Sequence, residues 1–266
     1  MRILFALSFS IAIWLCSSET SASTIDLHLK EGEFALSFLP LSDGEAAIIH
    51  TANGRHYLIN TGTKDSRSSI LAYLRKFKMD RLSGLILTDQ QEGASDFIHK
   101  LNKFYQLKRV YSVHGKDELS KSKLYYEGWK AGDVKELAPG IRLTVLYSGR
   151  SAREGMDFSI KHHDSRFLWM SSASKKSERS LLKEELKDIN IVKVPGHGGS
   201  SSLSYNLLTH MDPQTAVIFK QKGKKPEDDF LELLHQLWID VFYTDQHGLI
   251  TIKFTQLGYE VLTFSE

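Results

Sequence analysis

Short apolar runs of strand length alternate along this chain with stretches whose apolar residues fall three and four apart. Residues 35–41, 46–51 and 57–60 predict strands, with Ala52, Asn53 and Gly54 turning the second into the third. Ile70, Leu71, Leu74 and Phe77 recur at helical spacing, residues 85–87 form a buried-strand run, and Phe97, Ile98, Leu101 and Phe104 mark a second helix. After a strand at 110–113, the polar stretch 114–135 predicts a loop or insertion. Strands follow at 141–147, 158–161 and 167–170, then a helix at 177–186, a strand at 189–194, a helix at 203–210 and a strand at 215–219. The rhythm closes with a helix carrying Phe230, Leu233, Leu234 and Leu237, and strands at 241–244, 249–254 and 259–263.

Two such halves, each mixing antiparallel strands with strand–helix units, predict an α/β (α+β) protein in which two sheets pack face to face between helical layers. No Pro-, Gly- or Ser-rich linker interrupts the pattern, so residues 23–266 are read as a single domain. A chain of 266 residues with 34 basic and 32 acidic side chains has a formal net charge of +2, which supplies no global field for nucleic acid or an anionic membrane. Local basic runs at Arg75, Lys76, Lys78 and Arg81, and at Lys175, Lys176 and Arg179, are interleaved with acids such as Glu178, Glu184 and Glu185 and read as solvated surface.

The first 22 residues run from Met1 and Arg2 through an apolar stretch ending at Leu15 to the small residues Thr20, Ser21 and Ala22, the order of a secretory signal peptide. They predict an exported protein, periplasmic or secreted, with no membrane span in the mature chain. Cys16 follows Leu15 where a lipid-attachment signal wants a small residue, so cleavage after Ala22 is the preferred reading over a lipid anchor. Cys16 is also the only cysteine, so the mature chain is stable without disulfides.

Four stretches carry a resemblance. Phe38 to Ala46, Asn53-Gly54 and Leu58-Ile59-Asn60-Thr61-Gly62 are similar to an opening F-L-D-V-G-Q-G-D-A, N-G and L-I-D-x-G. Leu85-Ile86-Leu87-Thr88 matches a strand leading into a metal motif, Lys193-Val194-Pro195-Gly196-His197-Gly198 is similar to K-V-P-H-H-G, and Tyr243 to Thr251 is close to Y-x-T-D-x-x-G-x-I-T. In this order they resemble the metallo-β-lactamase fold, in particular the hydrolase-like domain of ComEC-type DNA-uptake proteins. The resemblance implies a four-layer αββα sandwich and a metal-dependent hydrolase site.

The departures fall on the metal motifs. Where the family has H-x-H-x-D-H this chain has Asp89, Gln91, Gly93 and Ala94, and an amide binds zinc poorly while Gly and Ala offer no side-chain donor. The Asp of L-I-D-x-G is Asn60, the Asp of T-G-D is Ser172, and one of the two paired histidines is Gly196. Asp157 and His197 survive and are the candidate catalytic or ligand-holding residues. Asn60, Asp89, Asp157, Ser172, His197 and Ser200 would line the former cleft. His162-His163 and His247 read as corner residues rather than ligands, and Ser171 and Ser172 lack a G-x-S-x-G elbow.

Two functions follow from this reading. The first is a non-catalytic binding protein, a pseudo-hydrolase with no metal or other cofactor, whose partner is a nucleic acid, a nucleotide or a protein. The second is a residual hydrolase acting on phosphodiesters through zinc or manganese at a depleted site built from Asp89, Asp157 and His197.

Overall fold

The computed structural model describes residues 24–89, 94–113, 124–149, 154–199 and 202–264. Residues 1–22, expected to be a signal peptide, and Cys16 among them lie outside the described residues. After an extended lead the chain forms β1 (Phe34–Phe38), β2 (Ala47–Thr51) and β3 (His56–Ile59), then α1 (Arg67–Lys76), β4 (Gly84–Leu87), α2 (Ala94–Tyr105), β5 (Arg109–Ser112) and β6 (Tyr125–Gly128). The second run comprises β7 (Val134–Ala138), β8 (Ile141–Ser148), β9 (Met156–His162), β10 (Ser165–Trp169), α3 (Lys175–Leu181), β11 (Ile189–Lys193), α4 (Tyr205–Met211), β12 (Thr215–Ile218), α5 (Asp228–Gln236) and β13 (Asp240–Tyr243). A single turn of helix, α6 (Thr244–His247), leads into the hairpin β14 (Leu249–Thr255) and β15 (Gly258–Phe264).

The strands make two sheets, ordered β15-β14-β1-β2-β3-β4-β5-β6 and β13-β12-β11-β10-β9-β8-β7. Each sheet is antiparallel on one side and parallel on the other: β3 to β6 run parallel in the first, β10 to β13 in the second. Period-two alternation divides the apolar side chains between layers. Phe34, Leu36 and Phe38 of β1, Phe158 and Ile160 of β9, and Phe167 and Trp169 of β10 meet in the core between the sheets. Ile48, Leu58 and Leu85 point the other way, against Ile70, Leu74, Phe97 and Leu101 of α1 and α2. Leu168, Val192 and Ala216 pack outward against Leu181, Leu207, Leu208 and Leu234 of α3, α4 and α5. The result is the four-layer αββα sandwich.

Four expectations change. Within the stretch expected to be a loop, Tyr125–Gly128 is the edge strand β6, paired in parallel with β5; an edge strand buries one side at most, so its polar sequence hides it from an apolar-run reading. The helix expected over 177–186 ends at Leu181, and Leu186 reaches the same apolar layer from the following turns. On α2 the inward face is Ala94, Phe97, Ile98, Leu101 and Tyr105, leaving Phe104 59% exposed. At the β9–β10 corner only His163 and Asp164 form the turn. His162 is buried at the end of β9, with its Nε2 2.6 Å from the Gly32 carbonyl.

Candidate functional site

The cleft positions sit where strand ends of both sheets approach each other. Asn60 follows β3 in a left-handed conformation (φ 58°), which asparagine tolerates better than most residues. Its amide clasps Thr88, just past β4: Nδ2 donates to Thr88 Oγ1 at 2.9 Å, and Oδ1 accepts the Thr88 N–H at 2.9 Å. A carboxylate at this position has no proton to give in the first of these bonds. Thr88 then crosses to the second sheet. Its carbonyl accepts the Met156 N–H at 2.6 Å, and its hydroxyl accepts from Ser171 Oγ at 2.7 Å. The approach is close enough that a Cβ on Gly155 would collide with the Thr88 carbonyl, so glycine is required there.

Ser171 and Ser172 follow β10 and fold back onto β9. Their N–H groups donate to Asp157 Oδ1 at 2.7 and 2.9 Å, Trp169 Nε1 donates to Ser171 Oγ at 3.0 Å, and Ser172 Oγ accepts the Gly155 N–H at 3.0 Å. Asn60, Thr88, Ser171 and Asp157 therefore form a continuous hydrogen-bonded plug linking the two sheets. Asp157 is fully buried, and its Oδ2 has no partner among the described residues. Burial pushes its carboxyl up to about 7, outweighing the two backbone N–H bonds and the Lys193 charge that pull it down.

Beside the plug lies a buried ion pair. Lys193, at the end of β11, is 1% exposed and pairs with Glu45. Its Nζ also donates to the Met170 carbonyl at 3.0 Å and lies 5.0 Å from the centre of the Trp169 ring. His197 sits at the mouth, inside three consecutive left-handed residues, Gly196, His197 and Gly198 (φ 58°, 57° and 79°). Its Nδ1 is 3.2 Å from the Phe219 carbonyl, which fixes the proton on that nitrogen. The Glu45 carboxylate is 4.0 Å from the same nitrogen. No described residue bonds Nε2.

The sequence-derived positions thus separate into groups. Asn60, Asp157 and Ser172 join one network; His197 lies beside it, on Glu45. Asp89 is solvent-exposed next to Thr88, Ala94 opens α2 as part of the apolar layer, and Gly196 serves the loop bend. Gln91, Gly93 and Ser200 lie outside the described residues. A fold of this type implies a metal, and the donors present do not fit one: the hydroxyls and the amide bond protein groups, and Asp157 Oδ1 is taken by two N–H groups. Among the described residues no group of three or more His, Cys, Asp or Glu side chains could hold a metal ion, so Asp89, Asp157 and His197 do not form a three-ligand set. Glu45, Lys193, Thr88 and Ser171 were not singled out as site residues from the sequence. A lysine inside the strand run 189–194, between Val192 and Val194, is the one signal that a buried counter-charge has to exist.

Two mixed sheets sandwiched by helices, with polar residues gathered at the strand ends, define the metallo-β-lactamase fold, and solved structures agree. The metallo-β-lactamase fold protein YhfI from Bacillus subtilis superposes with a TM-score of 0.57 at 9% identity, over 79% of this chain and 95% of that one. The metallo hydrolase Igni18 from the archaeon Ignicoccus hospitalis gives 0.54 at 13% identity, over 88% and 99%. In sequence the chain resembles ComE operon protein 3 of Bacillus subtilis, 24% identical over 261 residues. The match takes in 84% of this chain and 33% of that relative, so the chain spans about a third of its length. No protein-family model matches the chain.

Proposed function

We propose that this chain is an exported, non-catalytic binding protein: a single metallo-β-lactamase-like domain, preceded by a cleaved signal peptide at residues 1–22, whose former metal centre has become a structural plug. The observation that carries this reading is the Asn60–Thr88–Ser171–Asp157 network, in which Asn60, standing where the family has an Asp, is bonded to Thr88, and the surviving Asp157 is bonded by the Ser171 and Ser172 backbone N–H groups. Without a divalent ion, nothing there lowers the pKa of a bound water toward neutrality. The ligand seat is the rim above the plug, where His197 Nε2, Glu45 and Asp89 offer polar groups. The resemblance to ComE operon protein 3 and to ComEC-type domains makes nucleic acid the first ligand to test.

One observation favours the residual hydrolase: the unpartnered Oδ2 of Asp157, a buried carboxylate oxygen of the kind a cation would take. The two readings separate in one experiment. The purified chain, equilibrated with zinc or manganese and desalted, is analysed for metal and incubated with a labelled single-stranded oligonucleotide. The binding reading expects metal well below one equivalent, no cleavage, and retention of the oligonucleotide that weakens in His197→Ala. Stoichiometric metal with cleavage lost in Asp157→Ala and His197→Ala would establish the hydrolase instead.

A further inference from the structure

The opposite end of the first sheet holds a second buried polar cluster, and it is left unsatisfied. His50 on β2 and His56 on β3 lie side by side with ring centres 5.5 Å apart, and the Phe77 ring closes on His50 at 4.5 Å. His50 Nε2 and His56 Nδ1 are both sealed from solvent and have no hydrogen-bond partner among the described residues. Buried polar atoms are rarely left this way.

Next to the pair is a cavity of about 310 Å³, lined by residues 24–29, His50, His56, Phe77 and Lys78 among others. Residues 24–29 form a strap, bent at His28 (φ 46°), in which Ile25, Leu27 and Leu29 are half-buried while Thr24, Asp26 and His28 are exposed. The strap joins no sheet. Among the described residues one backbone–backbone hydrogen bond holds residues 24–29 down, from the Ile25 N–H to the Lys76 carbonyl at 2.9 Å. A side-chain bond from Lys253 Nζ to the His28 carbonyl, at 3.4 Å, adds little.

The two nitrogens are sealed from solvent, and among the described residues no third metal-ligating side chain joins them. A proton is what can act on them. We propose that the His50–His56 pair is an acid-sensitive latch: protonation of either imidazole releases the 24–29 strap and opens the cavity beneath it.

The charges facing the pair set the direction. Burial and the neighbouring His56 both disfavour a charge on His50, holding its pKa well below the ordinary 6.5. Burial also lowers that of His56, where Asp80 pulls the other way and Arg81 opposes a charge. Asp26 and His28 on the strap pair with each other at 3.5 Å, and Lys78 adds positive charge at the wall. The closed form therefore keeps both rings neutral, while an open strap gives water access and ordinary proton affinity. Closure is unaffected above about pH 6.5 and weakens as the pH falls below it.

Hydrogen exchange on the full chain between pH 7.5 and 5.0, corrected for intrinsic rates, tests this. The protection of the Ile25 amide should fall about tenfold per pH unit below roughly 6.5 for each proton taken up. The β9–β10 amides should show no loss of protection over the same range, and the His50→Leu/His56→Leu variant should keep Ile25 protected at pH 5.0. Flat Ile25 protection, or the same pH dependence in the variant, overturns the proposal. If the variant does not fold, the imidazole titrations of the unaltered protein decide. Opening must share its midpoint with His50 or His56, and a midpoint shared only with exposed His28 overturns it.

Discussion

Strand β3 starts on one polar residue, His56, and is followed by another, Asn60, and the two have opposite fates. Asn60 and His56 are four positions apart, about 13 Å along an extended strand. Asn60 has both ends of its amide bonded, to Thr88, and through Thr88 and Ser171 it reaches Asp157 on the other sheet. His56, with His50 beside it, has a ring nitrogen sealed in the interior with nothing to bond. The comparison teaches that burial of polar groups does not by itself mean rigidity. A chain of donors and acceptors from one sheet to the other ties the two together even with Asp157 Oδ2 left over, whereas sealed, unpaired nitrogens with no such chain beside them mark a place where the packing can give way.

The largest effect that could break the comparison lies in the ion pair beside the plug. Glu45→Ala strips Lys193 of its counter-charge at 1% exposure and should destabilise the fold by about 3–5 kcal/mol in urea unfolding at pH 7.5. A loss under about 1 kcal/mol would mean that the cleft end does not depend on its polar pairing.

Next in size is a difference in pH slope between the two ends. Asp157 has a native pKa of about 7 against an ordinary 3.8, so its protonated form is favoured by folding. Its contribution is fully present below about 3.8 and is lost as the pH rises through about 7, a swing on the order of a few kcal/mol. Asp157→Asn keeps an acceptor for the Ser171 and Ser172 N–H groups without the charge. The variant should therefore gain stability relative to the unaltered chain between pH 5 and pH 8. An identical pH profile for the two proteins would show that Oδ2 is compensated. The histidine end slopes the other way, losing stability as the pH falls below about 6.5.

The smallest effect sharpens that second slope. His50→Leu replaces an unpaired buried imidazole by an apolar side chain and should change stability by no more than about 1 kcal/mol at pH 7.5. It should be more stable than the unaltered chain at pH 5.5, measured by thermal melting at both pH values. Destabilisation growing toward pH 5.5 would mean that His50 holds the strap rather than releasing it.

Most elements were legible because their burial is two-sided or periodic. The apolar runs at 85–87 and 215–219 became β4 and β12, and the Phe97, Ile98 and Leu101 spacing became the inner face of α2. Strand β6 was not legible, since Tyr125 to Gly128 gains its strand character from β5 beside it rather than from an apolar pattern. The departures from the metal motifs were legible as chemistry, because Ala94 and Gly196 have no side-chain donor wherever they sit. The contacts made around those positions were not. Nothing local indicates that Asn60 Nδ2 would meet Thr88 28 residues away, or that Lys193 would meet Glu45 148 residues away.

By itself, then, the sequence determined the order of most strands and helices, the αββα class and the absence of ligand side chains at named positions, since these rest on residue type and short-range periodicity. Only the tertiary structure decided which polar groups found partners. A hydrogen bond depends on the meeting of two atoms within about 3 Å, and the backbones that bring Asn60 to Thr88, and leave His50 and His56 without a partner, are set by the packing of whole sheets.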